Sequence, residues 1–342
     1  MPKRATLADV ARLAGLSTTT VSMVLNDRPN TRLSAEAAQR VRSAAAKLNY
    51  RPNPAARGLR LGKTRTVGFI SDEVTVTRYA SAMIRGLLEE AEERDHTVLI
   101  SESGRRVDRI ANALELMLDR QADGIVFGLM GAKQIEVPAA SIDVPVVLSN
   151  ATSTSGLPSV LPDEFRAGHE AVKYLLDRGH RRIAFIGRSE ALLDPVLSAT
   201  IGSRYAGLDA ALAEAGVEFL YQVDGRSWEP DFGYRAAQEI FDAVSVTAIV
   251  AANDRVSLGV YQAAQERGLR IPDDLSVISF DDEYLASYLR PALTTMQIPY
   301  LEMGRTAMQL VLDGDAPATT LVPMPLQERS SVRDLTSGSN GP

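Results

Sequence analysis

Cysteine is absent from all 342 residues, and the chain has only three histidines and one tryptophan. Without thiols there are no disulfides, thiolate metal sites or cysteine nucleophiles. No stretch reaches the ~18 consecutive apolar residues of a membrane span, and the opening Met1-Pro2-Lys3-Arg4-Ala5-Thr6 lacks the apolar core of a secretory leader. The expectation is a cytoplasmic chain with no membrane contact. Catalytic signatures are missing too. There is no glycine-rich phosphate loop followed by Lys-Ser/Thr, no Gly-x-Ser-x-Gly elbow and no His-x-x-x-His spacing, so no catalytic residue, cofactor or metal is expected. His180, between Gly179 and two arginines, reads as a turn residue. Asp281-Asp282-Glu283 lacks the spaced oxygen ligands of a calcium loop and reads as a helix start.

What is present is an average globular composition, 45% apolar and 23% charged, over a length that exceeds one core. The net charge of -6 is unevenly placed. Residues 1–65 hold 13 Lys and Arg against Asp9, Asp27 and Glu36, a local net of +10, and the remainder carries -16. A small basic part beside a large acidic one points to a polyanionic partner for the former.

That basic part has helical periodicity in three short pieces. Leu7, Val10, Ala11 and Ala14 share one face, with Thr6 as N-cap and Asp9 favourably placed in the first turn. Gly15 supplies the positive φ of a tight turn. Ser17 opens a second helix through Leu25, in which Val21, Val24 and Leu25 turn inward and Thr18, Thr19, Ser22 and Met23 outward. A third begins at Ser34 and buries Ala38, Val41, Ala45 and Leu48. Two helices joined by a short Gly turn in a basic segment spell a helix-turn-helix, whose second helix offers hydroxyls and methyls to base edges in a major groove. Farther on, Asn53 caps and Pro54 begins a helix of about eight residues containing Gly58, marginal by itself. Leu59 and Leu61 stand there among arginines with no core to enter, which suits a helix that orders on DNA with an apolar wedge in the minor groove.

Beyond Arg65, β-branched runs alternate with amphipathic helices. Strands are predicted at 66–71, 97–101, 124–128, 144–149, 182–187, 247–251 and 275–280. Helices are predicted near 79–94, 107–120, 164–178, 200–215, 231–243 and 254–267. The alternation means parallel sheets covered by helices, and a Ser/Thr/Gly/Pro-rich break at 149–161 suggests two lobes around a cleft. Carboxyl ends of strands gather Asp72, Ser149, Asn150, Asn253, Asp254, Asp281 and Asp282, of which Asp254 and Asp282 read as helix N-caps. Trp228, in the polar loop 225–230, is either a packing residue or one wall of a carbohydrate cradle.

The run Thr6 to Asn26, followed by Tyr50 to Leu59, closely resembles the lactose-repressor-like (LacI/GalR) transcription regulators. So do Gly179-His180-Arg181-Arg182-Ile183-Ala184-Phe185-Ile186-Gly187, Ala252-Asn253-Asp254-Arg255-Val256-Ser257-Leu258-Gly259, Phe280-Asp281-Asp282 and Pro291-Ala292-Leu293-Thr294-Thr295-Met296. The likeness covers about residues 5–333. It implies an all-α helix-turn-helix head (1–50), a hinge helix and linker (51–64), and a two-lobed α/β body like the type I periplasmic binding proteins (65–335). A disordered tail (336–342) follows, without a tetramer-forming helix. DNA contacts are implied at Thr6, Ser17, Thr18, Thr19, Thr20, Ser22, Met23 and Asn26, and in the hinge at Asn53, Ala56, Arg57 and Leu59. Met23 stands where the family often has arginine, and cannot make a bidentate bond to guanine. Effector contacts are implied at Asp72, Asp163, Arg204, Trp228, Asn253 and Asp281, with Tyr79 and Tyr300 as aromatic walls. Pro162-Asp163-Glu164 departs from the family's commoner Asp-Asn pair.

The resulting expectation is a homodimeric repressor of a palindromic operator, tuned by a small polar effector, a sugar. Its rivals are a purine- or nucleoside-responsive regulator with corepressor logic, a sugar-binding transport protein and an enzyme of the sugar or nucleoside class. Transport leaves the basic head without a purpose, and the enzyme reading lacks a catalytic constellation.

Overall fold

The computed structural model describes residues 5–25, 33–50, 62–72, 80–104, 107–137 and 142–336. The chain divides after Arg65 into a small helical unit and a large α/β unit.

Among the described residues the small unit has three helices: α1 (Leu7–Ala14), α2 (Thr18–Leu25) and α3 (Ala35–Lys47). Each start is fixed by a hydroxyl. Thr6 Oγ1 accepts from the Asp9 amide, and the Asp9 carboxylate accepts from Thr6 N at 2.9 Å, a reciprocal capping box. Ser17 Oγ accepts from Thr20 N and Ser34 Oγ from Ala37 N. Gly15, with φ of 67°, ends α1 in the left-handed region, as the turn requires. Val10, Val21 and Val41 meet at the centre, fully buried among Ala11, Ala14, Val24, Ala44 and Ala45.

In the large unit the elements run β1 (Thr66–Ser71), α4 (Ala80–Glu93), β2 (Thr97–Glu102), α5 (Val107–Asp119), β3 (Gly124–Ile135), β4 (Val146–Ser153), β5 (Ser159–Pro162), α6 (Glu164–Asp177) and β6 (Ile183–Arg188). They continue with α7 (Ile201–Glu214), β7 (Tyr221–Asp224), α8 (Pro230–Ala243), β8 (Ala248–Ala251), α9 (Asp254–Glu266), β9 (Ser276–Asp281), α10 (Tyr284–Tyr288), β10 (Thr294–Gln297), α11 (Tyr300–Asp313), β11 (Thr319–Val322) and β12 (Leu326–Gln327). Two six-stranded sheets result, ordered β11-β5-β4-β3-β1-β2 and β12-β10-β9-β8-β6-β7. Every pairing is parallel except β10 with β12. Helices cover both faces of each sheet, giving four apolar cores. No helix among the described residues is long and apolar enough to cross a membrane.

The expected break at 149–161 is occupied by β4 and β5, both strands of the first sheet. The chain instead passes between lobes three times: from β5 into α6, from β10 into α11, and from β11 into β12. Each passage leaves a strand at its carboxyl end, so the carboxyl edges of the two sheets face one another across the junction. The first lobe is thereby completed by α11 and β11 from the far end of the sequence. Strand β3 is also longer than its apolar run. Its outer half pairs with Ala151–Ser153 of β4 and reaches the second lobe, where Gln134 N donates to Pro195 O and Ala199 N to Ala132 O.

Candidate functional site

Two places gather the polar side chains singled out in the sequence. On the small unit, α2 exposes Thr18 and Thr19, while Ser22 and Met23 are half-buried at its flank. Ser17 and Thr20 hydroxyls lie 2.8 Å apart at the helix start, and the Thr6 hydroxyl donates to Asp9. The helix thus presents a short row of hydroxyls at its N-terminal end, held by a core of small residues that fixes the angle to α1. Asn26, Asn53, Ala56, Arg57 and Leu59 lie outside the described residues.

The second place is the facing carboxyl edges of the two sheets. On the second lobe, Arg204 in the first turn of α7 is buried to 3% exposure. Its Nε and Nη2 donate to the two oxygens of Glu164 at 2.6 and 2.7 Å, and Nη1 donates to Ala252 O at 2.8 Å. The guanidinium lies 4.2 Å from the ring centre of Phe280 and 6.0 Å from that of Trp228. Burial opposes the Arg204 charge, but the attraction and hydrogen bonds of Glu164 outweigh it and raise the pKa. Trp228 Nε1 donates to Gly187 O and Gly225 O, and its ring packs against both cores of this lobe. Asn253 Oδ1 accepts from Val256 N, capping α9, and Nδ2 donates to Trp228 O. Asp281 ends β9 half-buried, with φ of 104°. Burial pushes its carboxyl up to about 8, against the pull of Arg204 and helped by Asp254, Glu164 and Glu283. Arg204, Trp228, Asn253 and Asp281 therefore form one cluster.

On the first lobe, Asp72 and Tyr300 converge on one residue. Met130 N donates to Asp72 Oδ1 at 3.2 Å, and the Tyr300 hydroxyl donates to Met130 O at 3.0 Å. Lys133 Nζ sits 2.8 Å from the other Asp72 oxygen. Asp163 is the N-cap of α6, accepting from Arg166 N. A cleft of roughly 680 Å³ at the edge of the junction is lined by Asp281 and Tyr300 with Arg255, Tyr284, Tyr288 and Gln297. Tyr79 lies outside the described residues.

Two N-cap expectations are corrected. The cap of α9 is Asn253, and Asp254 is instead fully buried at the first helical position. Asp254 accepts from the Ser279 hydroxyl, from Thr295 Oγ1 at 2.7 Å and from Glu283 N at 2.6 Å. Asp282 accepts from Arg329 Nη2 and Gln297 Nε2 and caps nothing, since Glu283 precedes α10. Sequence reasoning also missed Glu164 and Lys133, whose partners are far along the chain. The departure at Pro162-Asp163-Glu164 was the one local signal of the former. His180 is buried between Thr247 Oγ1 and Arg333 O, each 3.0 Å away, a structural position. Among the described residues no group of three His, Asp or Glu side chains could hold a metal.

Burial pushes the Asp254 carboxyl up to about 7, outweighing its three hydrogen bonds. In the unfolded chain this group loses its proton near pH 4, so between pH 4 and 7 the folded state holds the extra proton. Its contribution to stability is therefore present in acid and lost as pH rises towards 7. Wild type should lose about 1–3 kcal/mol more than Asp254→Asn between pH 5 and 8, measured by urea unfolding at each pH. An identical pH dependence in the two proteins would contradict the assignment.

Residues 6–53 match the family model of bacterial regulatory proteins of the lacI family. Catabolite control protein A of Priestia megaterium is 37% identical over 312 residues, spanning 90% of this chain and 91% of that one. The chain belongs to the lactose-repressor-like family of DNA-binding transcription regulators. Within this LacI-family chain, residues 172–332 match the periplasmic binding protein-like domain. The HTH-type transcriptional repressor PurR of Erwinia tasmaniensis is 34% identical, covering 96% of this chain and 97% of its own. A structure of the lac repressor dimer bound to operator and the anti-inducer ONPF superposes with a TM-score of 0.78 at 26% identity. It covers 97% of this chain and 100% of its own. The two-lobed body with parallel sheets and the helical head agree with the expected fold.

Proposed function

We propose that this LacI-family regulator is a homodimeric, cytoplasmic, non-enzymatic repressor. Two copies of α2 read the half-sites of a palindromic operator, and a small polar effector between the lobes sets how firmly they hold it. A single helix-turn-helix spans only one half-site, so two-fold pairing follows from specific binding. The observation that carries this reading is the whole-chain likeness to a repressor dimer bound to its operator together with a small-molecule anti-inducer. The cluster of Arg204, Trp228, Asn253 and Asp281 supplies the polar groups and the aromatic face that a sugar needs. Coupling between the two sites is expected at ~1–3 kcal/mol, a ~5–150-fold change in operator affinity.

The test begins with selection of bound sequences from fragmented genomic DNA. Exchanging both Thr18 and Thr19 for alanine should weaken binding to the selected sequence at least tenfold, since each lost base contact removes ~1–3 kcal/mol, and leave binding to random duplex within about twofold. Equal losses on both DNAs would overturn the assignment of α2. Sugars and, as a second arm, nucleobases and nucleosides are then added to the DNA complex. A nucleobase that tightens binding would replace the sugar reading by corepressor logic. Formation of product from any of them would end the non-enzymatic reading.

A further inference from the structure

The charges at the carboxyl edge of the second lobe match in pairs. Glu164 satisfies Arg204 through two parallel hydrogen bonds with both residues under 5% exposed, the closed fork geometry in which a guanidinium ordinarily binds the carboxylate or phosphate of a ligand. Arg329 is held by Asp282, and Lys133 on the facing lobe by Asp72. Asp281, beside Arg204, adds a carboxyl whose burial favours the neutral, protonated form. Of the five N–H groups of Arg204, Nε and one on each Nη are taken by Glu164 and Ala252. The two that remain suit a neutral hydroxyl or carbonyl oxygen. An anionic group placed there would lie against the Glu164 carboxylate, and could reach the fork only by displacing Glu164 into a buried, unpaired state.

We infer that Glu164 sets the charge selectivity of the interlobe site: by neutralising Arg204 it restricts the ligand to uncharged, hydroxylated molecules and excludes phosphorylated and carboxylated ones. This rests on the reading of the interlobe cluster as the effector site. The consequence for regulation is that the signal is the free sugar or nucleoside, upstream of any phosphoryl transfer, and that the phosphorylated product of such a transfer is not sensed.

The experiment uses the full chain and two kinds of probe. Inorganic phosphate and sulfate, at ionic strength matched with chloride, should not bind wild type by calorimetry or ³¹P line broadening. Glu164→Gln, which keeps the volume and one acceptor but frees the Arg204 charge, should gain phosphate binding at least tenfold. Adding Arg204→Met to it should abolish the gain. Phosphate binding to wild type that Arg204→Met removes, or a folded Glu164→Gln that gains none, would overturn the inference. The second probe needs no variant. Glucose against glucose 6-phosphate, and adenosine against adenosine monophosphate, are compared by the thermal shift of wild type. A phosphorylated member that stabilises more than its neutral parent would also overturn the inference. Silence of every neutral sugar and nucleoside, together with the expected phosphate gain in Glu164→Gln, would remove the effector reading and leave anion exclusion by Glu164 standing.

Discussion

Arg204→Met should destabilise the α/β unit by about 3–5 kcal/mol, the usual penalty for leaving one member of a buried ion pair without its partner. The mechanism is an imbalance. Methionine fills much of the volume above Phe280, so the apolar loss is small. Glu164, however, would be left at 4% exposure with both oxygens abandoned, and Ala252 O would lose its donor. Removing both charges together, as Glu164→Gln with Arg204→Met, should recover more than half of the loss, because no unpaired ion remains. Arg204→Lys should fall between, since one ammonium cannot reach two carboxylate oxygens and Ala252 O in the same plane. Urea unfolding followed by the fluorescence of Trp228, which lies beside the pair, is a direct readout. If the double variant is no more stable than Arg204→Met, the pair is not acting as a pair, and the argument for charge selectivity loses its basis.

Features carried by neighbouring residues were legible in the sequence. Thr6, Asp9 and Gly15 announced the start and stop of α1 because a cap is a contact between residues three apart. The longer apolar runs gave seven strands near their observed places. The strands that escaped, β5, β7, β10, β11 and β12, are only two to four residues long, too short to establish a period. Helix α11 escaped although its pattern is amphipathic, and with it went the route by which the first lobe closes. The break at 149–161 differs from the structure for a related reason: Ser, Thr and Gly favour loops by composition, but β4 and β5 bury Ser149 and Ser159 inside a sheet. At the interlobe cluster the family motifs marked Arg204 and Asp281 individually. Glu164 lies 40 residues from Arg204, and Lys133 far from Asp72, so their pairing depends on topology that no local pattern carries. Asn253 and Asp254 exchanged roles because either side chain can cap, and only burial among Ser279, Thr295 and Glu283 separates them.

Mid-helix glycines carry the other large prediction. Glycine inside a helix costs about 1 kcal/mol relative to alanine, so Gly→Ala at such a position is ordinarily stabilising. Here the opposite is expected. Gly207 of α7 lies against α6, where a Cβ would come within 2.0 Å of Phe165 O, and Gly168 of α6 lies against α7, where it would meet Arg204 O at 2.4 Å. The same reciprocal crossing recurs between α8 and α9, at Gly233 and Gly259, and between α4 and α11, at Gly86 and Gly304. In each case the obstructing atom belongs to rigid backbone, so relief requires the helices to separate along a packed face. Overpacking typically costs about 1–3 kcal/mol and occasionally more, and against rigid backbone on a packed helix face the upper end is expected, outweighing the helical gain. Gly207→Ala should therefore lower the urea midpoint, and its effect should extend to the Glu164–Arg204 pair, because the α6–α7 crossing sets the distance between these two residues at the N-terminal ends of the same two helices. Gly216, with nothing near the position of a Cβ but a φ of 63°, is the control: alanine there should cost about 1 kcal/mol through backbone strain alone. Equal losses at the two sites would show that the helices give way, and that the crossing does not hold the Glu164–Arg204 pair in register.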